Sequence, residues 1–277
     1  MQFGNMAMDN GNLLLTVGER KLLIERRPEA EELTRRIFGG DEYISGEERY
    51  CIWVLPDQLE SAEQIPELHA RFERVREFRL SSTDAGTRKK GSIPWSFREQ
   101  KGGETISLIV PRTSSERRDY IPLGYLGPGS VISDAALAVY DAEPWLFALL
   151  TSRMHMAWAR AVGGKMETRL RYSSTIVYNN FPVPELKDAD QRKLTEKTLR
   201  VLDVREYHCE KTLEQLYDPD LMPDNLRAAH EEVDDLVDSL YSKHAFESDE
   251  ERLSILFSMY EDMIAAEEEA KPKKKRK

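Results

Sequence analysis

All 15 glycines of this 277-residue chain lie at or before the pair Gly163-Gly164. Glycine is what a chain uses where the backbone must take a positive φ or pass close to another segment. Glycine is absent from residue 165 onward, and helices tolerate that absence best. Apolar spacing places three of them at about 189–217, 223–242 and 249–269.

The glycine-bearing part is more mixed. Asp9-Asn10-Gly11 is a turn signal, followed by a helix expected over 17–38. The run 50–55 (YCIWVL) has the aromatic and β-branched character of a strand. A helix over 65–80 carries Leu68, Phe72, Val75 and Phe78 on one side, with Arg71, Arg74, Arg76 and Arg79 expected outward. Residues 81–101, rich in Ser, Thr, Gly, Arg and Lys, are expected as a loop. Strands are expected at 105–110, 120–126, 131–140 and 170–178, and an apolar helix at 144–162 ends at the glycine pair. The fold class that follows is α+β: a mixed α/β domain and then an α-helical C-terminal domain, with the boundary at 182–187.

With 40% hydrophobic and 32% charged residues the chain is globular. Its net charge of -10 conceals an asymmetry. Residues 69–184 hold 17 basic and 11 acidic groups, whereas 185–270 hold 10 and 25, and the final KPKKKRK is wholly basic. A basic middle between acidic flanks fits a chain that meets phosphates with one part only. The terminal run is compatible with a nuclear-import signal and equally with a polyphosphate-seeking tail. Cys51 and Cys209 stand far apart without clustered His or Cys, so both are expected as reduced thiols with no zinc site. No apolar run approaches 18 residues, and a soluble, cytoplasmic protein with no membrane partner is expected. His155 is expected as a hydrogen-bonded packing residue.

The stretch GGKMETRLRYSSTIVYNNFPVP (163–184) sets Glu167, Arg169 and Arg171 at every second position. In a strand these would share one face while Thr168, Leu170 and Tyr172 share the other. Two readings stay open for such a comb. It is either an exposed strand face with cross-strand ion pairs or a set of base readers, since Arg matches guanine O6 and N7 and Glu accepts from cytosine N4. Tyr178-Asn179-Asn180-Phe181-Pro182 is expected to be mainly structural, with Phe181 as an anchor.

The sequence carries no P-loop, no G-x-S-x-G elbow, no H-E-x-x-H helix, no glycine loop for S-adenosylmethionine and no [DNS]-P-P-[YF] loop for a flipped base. On its own the chain is expected not to be an enzyme, and no catalytic, cofactor-binding or metal residue is assigned.

Five segments, FGNMAMDNGNLLL, RFERVREFRLSSTDAGTRK, PRTSSERRDYIPLGYLGPGSVISDAAL, SRMHMAWARAVGGKMETRLRYS and RYSSTIVYNNFPVP, together resemble the C-terminal half of the MmeI-type DNA methyltransferase family. The resemblance covers nearly the whole chain. It implies that residues 1–15 leave a methyltransferase domain, 16–184 form a DNA target recognition domain, 185–270 a C-terminal helical domain, and 271–277 a basic tail. It further implies base readout by Glu167 and Arg169, with Arg171 on the same face and Ala135 as a further position facing a base. The family's nuclease, cofactor loop and Asn-Pro-Pro-Tyr loop are missing, so S-adenosylmethionine is expected only in a methyltransferase domain or subunit encoded elsewhere. A split subunit, a specificity subunit and a decayed remnant are all compatible with that pattern, as is a protein-interaction subunit without independent DNA binding. Double-stranded DNA is the expected partner. Phosphate contacts are expected from Arg79, Ser81, Arg88, Lys89 and Lys90 and from Arg112, Ser114, Ser115, Arg117 and Arg118, because backbone contacts draw on cations and hydroxyls.

Overall fold

The computed structural model describes residues 1–270; the basic tail and the roles expected of it lie outside the described residues. The fold is α+β, and the chain forms two compact units that alternate along the sequence. One takes residues 2–111 and 124–141, and the other takes Met1, 112–123 and everything from 142 onward.

The first unit is built on two four-stranded sheets. Gln2–Phe3, Ala136–Val139, Ser107–Pro111 and Gly124–Leu126 pair antiparallel in that order. Leu14–Leu15, Tyr50–Ile52, Thr34–Phe38 and Val131–Ile132 make the second sheet, whose last two strands run parallel. Residues 1–15 thus give a strand to each sheet. The expected strand over 131–140 is really two strands, parted by a turn in which the Ala136 amide donates to the Ser133 carbonyl at 3.0 Å. Gly124 leaves room for the Tyr43 ring, because an added Cβ would fall on the Tyr43 hydroxyl and displace it.

The helix expected over 17–38 is corrected. Val17–Arg26 is helical and starts with a capping box between Thr16 and Glu19. Pro28 then disfavours a helical conformation at Arg27, a 3₁₀ turn follows at Pro28–Leu33, and Thr34–Phe38 becomes a strand. Helix Pro66–Leu80 is present as expected and buries Leu68, Phe72 and Val75 in a core with Trp53, Ile52 and Phe97. Within the segment expected as a loop, Asp84 caps a short helix at Ala85–Lys89.

In the second unit the expected helix over 144–162 is split. Pro144–Thr151 and Arg153–Val162 are separated by Ser152, whose backbone is extended and whose hydroxyl accepts from the His155 amide at 3.2 Å. The expected strand over 170–178 ends early: only Arg169–Arg171 is a strand, and Ser174–Tyr178 is a π-helical turn. Ser173 caps that turn, and the Trp158 indole donates to the Val177 carbonyl at 3.0 Å. These tertiary bonds override the β-branched preference of Thr175-Ile176-Val177. The C-terminal helices are Asp188–Tyr207, Leu213–Leu216, Asp224–Tyr241 and Asp249–Ala270. Phe257 and Tyr260 of the last pack on the Trp158 ring, each at 5.5 Å. No helix among the described residues is long and apolar enough to cross a membrane. Both cysteines are free, Cys51 buried and Cys209 exposed.

Candidate functional site

The chain leaves helix Arg153–Val162 directly into a hairpin. Gly164–Met166 and Arg169–Arg171 pair antiparallel, with Met166 opposite Arg169 and Gly164 opposite Arg171. Glu167 and Thr168 are therefore the two-residue loop between them. Such loops favour primed turns, which require positive φ at the first loop position. Glu167 supplies it, with φ of 58°. This corrects the expected comb, since Glu167 sits at the hairpin tip rather than within a strand.

Arg169 and Arg171 do share an exposed face, and Leu170 points the other way and is buried, 8% exposed. Tyr172 is buried as well. Facing residues across an antiparallel pair lie on the same side of the sheet, so Met166, 42% exposed, belongs to the outer face with Arg169. The cross-strand neighbours of Arg171 are Gly164 and Thr113. Neither arginine thus meets a carboxylate across the sheet, which removes the cross-strand ion-pair reading of this face. The ion pair present is local: Arg169 Nη2 lies 3.1 Å from Glu167 Oε2, with both side chains largely in solvent.

The third strand, Thr113–Ser114, pairs Ser114 with Leu170. Ser114 consequently faces inward and is buried, and its hydroxyl finds no partner. It is removed from the expected phosphate contacts. Ser115 follows at the surface and accepts from the Arg117 amide at 3.3 Å. Arg117 is exposed and paired with Asp220, and Asp218 and Glu116 hold its charge in place still further. Burial lowers the Arg118 pKa while Glu214 and Asp218 oppose that shift. This pair of arginines lies among carboxylates. Arg112 is half-buried, and its carbonyl accepts from the Tyr172 amide at 2.8 Å.

Arg79 is the second correction. It is fully buried, and its guanidinium donates to five carbonyls: Met8 at 2.9 Å, Lys90 at 3.1 Å, Ile93 at 3.0 Å, Ala7 at 2.7 Å and Ser96 at 2.8 Å. All the donors of an arginine are used in this way. Burial lowers its pKa to about 10, so it remains charged at neutral pH. Arg79 ties the 3₁₀ turn Lys90–Ser92 and the irregular segment after it to the helix and to residues 7–8, and it is not available to a phosphate. Around it, Ser81, Arg88 and Lys89 are exposed and Lys90 is half-exposed. Arg88 donates to the carbonyls of Ser82 and Thr83 at 2.8 and 2.7 Å.

Ala135 is exposed in the 133–136 turn and lines a cavity of about 170 Å³ together with Gly39, Glu42, Arg49 and Ser133. Phe181 anchors as expected, packing edge-on to the His155 ring at 4.4 Å, and Asn180 donates to the Thr175 carbonyl at 3.2 Å.

Sequence reading passed over one buried polar cluster. The Asp234 carboxylate accepts from the Tyr120 hydroxyl at 2.7 Å and from the Arg153 amide at 2.6 Å, which caps the helix leading into the hairpin. Burial pushes its pKa up to about 7, against the opposing effect of those two hydrogen bonds. No group of His, Cys, Asp or Glu among the described residues could hold a metal ion.

The sequence model of the MmeI target recognition domain matches residues 1–185, and that of the MmeI C-terminal domain matches residues 186–266. The chain belongs to the MmeI family. It carries the MmeI target recognition domain followed by the MmeI C-terminal domain. DNA methyltransferase A of Bacillus subtilis (strain 168) is 40% identical over 263 residues, which make up 95% of this chain and 30% of that protein. The structure of the type IIL restriction-modification enzyme MmeI in complex with DNA superimposes with a TM-score of 0.91 at 36% identity, over 95% of this chain and 35% of that one. The chain thus spans about a third of the length of these MmeI-type relatives.

Proposed function

We propose that this chain is the sequence-reading part of an adenine-N6 DNA methyltransferase or restriction-modification system and binds double-stranded DNA. The observation that carries the reading is the hairpin tip, where a Glu and two Arg stand in solvent and Glu167 holds a backbone conformation that glycine would adopt more easily. An unfavourable conformation kept at an exposed tip points to a task for the side chain. Arg169 and Arg171 offer paired donors to guanine, and Glu167 offers an acceptor to cytosine N4. Ala135 is a further position facing a base. Arg88, Lys89, Lys90 and Ser81 supply phosphate contacts, with Arg112, Ser115, Arg117 and Arg118 as a second set that must first exchange carboxylate neighbours for phosphate. Methyl transfer falls to a methyltransferase domain or subunit outside this chain, where S-adenosylmethionine binds and the target adenine is flipped from the duplex. This chain contributes no catalytic group.

The test is selection from a randomised duplex library by the purified chain at two salt concentrations. An enriched short motif that loses one position in the Glu167→Ala/Arg169→Ala variant supports the reading. Salt-sensitive retention with no motif would leave only a phosphate-binding surface.

A further inference from the structure

The eight residues of the hairpin are short of anchors of their own. Leu170 is the one side chain among 164–171 that is buried. A hairpin with strands of three residues, edged by the two-residue strand Thr113–Ser114, does not hold a fixed geometry in water without further support. A reader has to be placed to within a fraction of an ångström to discriminate base edges, so something must fix this one. The chain enters the hairpin from helix Arg153–Val162 and leaves it through Tyr172.

These two ends are tied to each other. His155 Nε2 and the Tyr172 hydroxyl lie 2.8 Å apart, and both residues are buried. The surroundings are apolar, with Phe181 edge-on to the imidazole. Burial drives the His155 pKa down to about 3, and burial together with the neighbouring Tyr178 holds the Tyr172 pKa well above its ordinary value, so the bond joins two neutral groups throughout the physiological range. His155 Nδ1 has no partner, so the hydrogen bond of the imidazole is the one to Tyr172. The helix end itself is packed closely: a Cβ on Gly163 would stand 2.3 Å from the Ala159 carbonyl oxygen and 3.0 Å from Leu170 Cδ1. Apolar packing would fill this space as well, but it would not set a direction. A buried hydrogen bond between two rings does.

We propose that the His155–Tyr172 hydrogen bond is a positioning device for the reading hairpin, fixing the angle at which Glu167, Arg169 and Arg171 are presented. Neither residue touches DNA; each acts through the backbone it orients. The inference rests on the recognition reading above for its consequence in DNA, and its structural half stands apart from that reading.

The experiment compares the wild-type 277-residue chain with Tyr172→Phe, His155→Gln and His155→Leu. Glutamine can still reach the phenol with a polar group, and leucine cannot. Amide hydrogen exchange of 164–171 and selection from a randomised duplex library are measured on all four proteins. Tyr172→Phe and His155→Leu are expected to speed exchange in the hairpin by about tenfold or more while helix Asp188–Tyr207 keeps its protection. They are also expected to flatten base preference at the hairpin's position, with salt-dependent binding to unrelated duplex kept within about twofold. His155→Gln should recover most of both properties. If hairpin exchange in Tyr172→Phe equals that of the wild type, the bond does not position the hairpin. Equal weakening on every duplex, or no difference between the glutamine and leucine variants, would reduce the pair to ordinary packing and overturn the proposal. A wild-type chain that selects no motif would sink the recognition reading, and the exchange data would then decide the positioning claim alone.

Discussion

Glu167 turns back onto Arg169, with its Oε2 3.1 Å from the guanidinium Nη2, so the acidic and basic side chains at the hairpin tip hold each other. The pair is solvent-exposed, and such pairs add little to stability, typically ~1 kcal/mol or less. Removing it should therefore show in recognition and not in folding. Arg169→Ala is expected to lose about 1–3 kcal/mol at one base pair and to relax preference there. Competition binding with single-base-pair variants of the selected motif measures this, and a uniform loss on all duplexes would contradict the assignment.

Glycine at the tip separates backbone from side chain. Glu167→Gly relieves the positive φ and is expected to leave the melting temperature unchanged or raise it, with a gain of up to ~1 kcal/mol. Under the proposed function, the same variant should lose preference at one base pair of the selected motif. Thermal melting and library selection on one preparation give both halves of the result.

Lys90→Ala and Lys89→Ala address the phosphate side. Each is expected to weaken binding to cognate and unrelated duplex alike and to lower the slope of log affinity against log salt by about one. A change confined to the cognate sequence would argue against backbone contact.

Arg79→Met is expected to behave differently from Arg169→Ala. It strands five carbonyls in the interior and should destabilise the fold by about 3 kcal/mol or more, seen as a lower denaturant midpoint. The salt slope of whatever protein remains folded should not change.

Asp234 makes stability depend on pH. Its folded pKa, about 7, lies above the ordinary carboxylate value of 3.8, because burial favours the neutral acid. The folded state thus binds a proton that the unfolded state gives up, and this contribution is complete below about pH 3.8 and disappears as pH rises through 7. Asp234→Asn, which stays neutral, should gain stability relative to wild type between pH 5 and pH 8. Urea midpoints at those two pH values test the sign.

Arg79 also marks how far sequence alone could carry the fold. Leu68, Phe72, Val75 and Arg79 follow helical spacing, so the arginine occupies the buried stripe that sequence reading had given to Phe78. The period was visible, but charge was allowed to outweigh it. The C-terminal helices were legible because their apolar spacing is local, although the one expected over 189–217 stops at Tyr207 and a separate short helix follows at Leu213–Leu216. Thr34–Phe38 was not: it lies between Tyr50–Ile52 and the remote Val131–Ile132, and no local pattern announces the distant partner that makes it an inner strand. At the site, the alternation of Arg169, Leu170 and Arg171 was readable. The turn at Glu167 was not, since it lacks the Asn-Gly or Asp-Gly signal that usually gives a hairpin away.

The single buried side chain of the hairpin has an evolutionary side. Because Leu170 alone of residues 164–171 contributes to the interior, Lys165, Met166, Glu167, Thr168, Arg169 and Arg171 can each be exchanged with little effect on folding. Drift at these positions is filtered by what the surface meets and hardly at all by whether the protein survives, so a lineage can explore new partners one residue at a time on an unchanged scaffold.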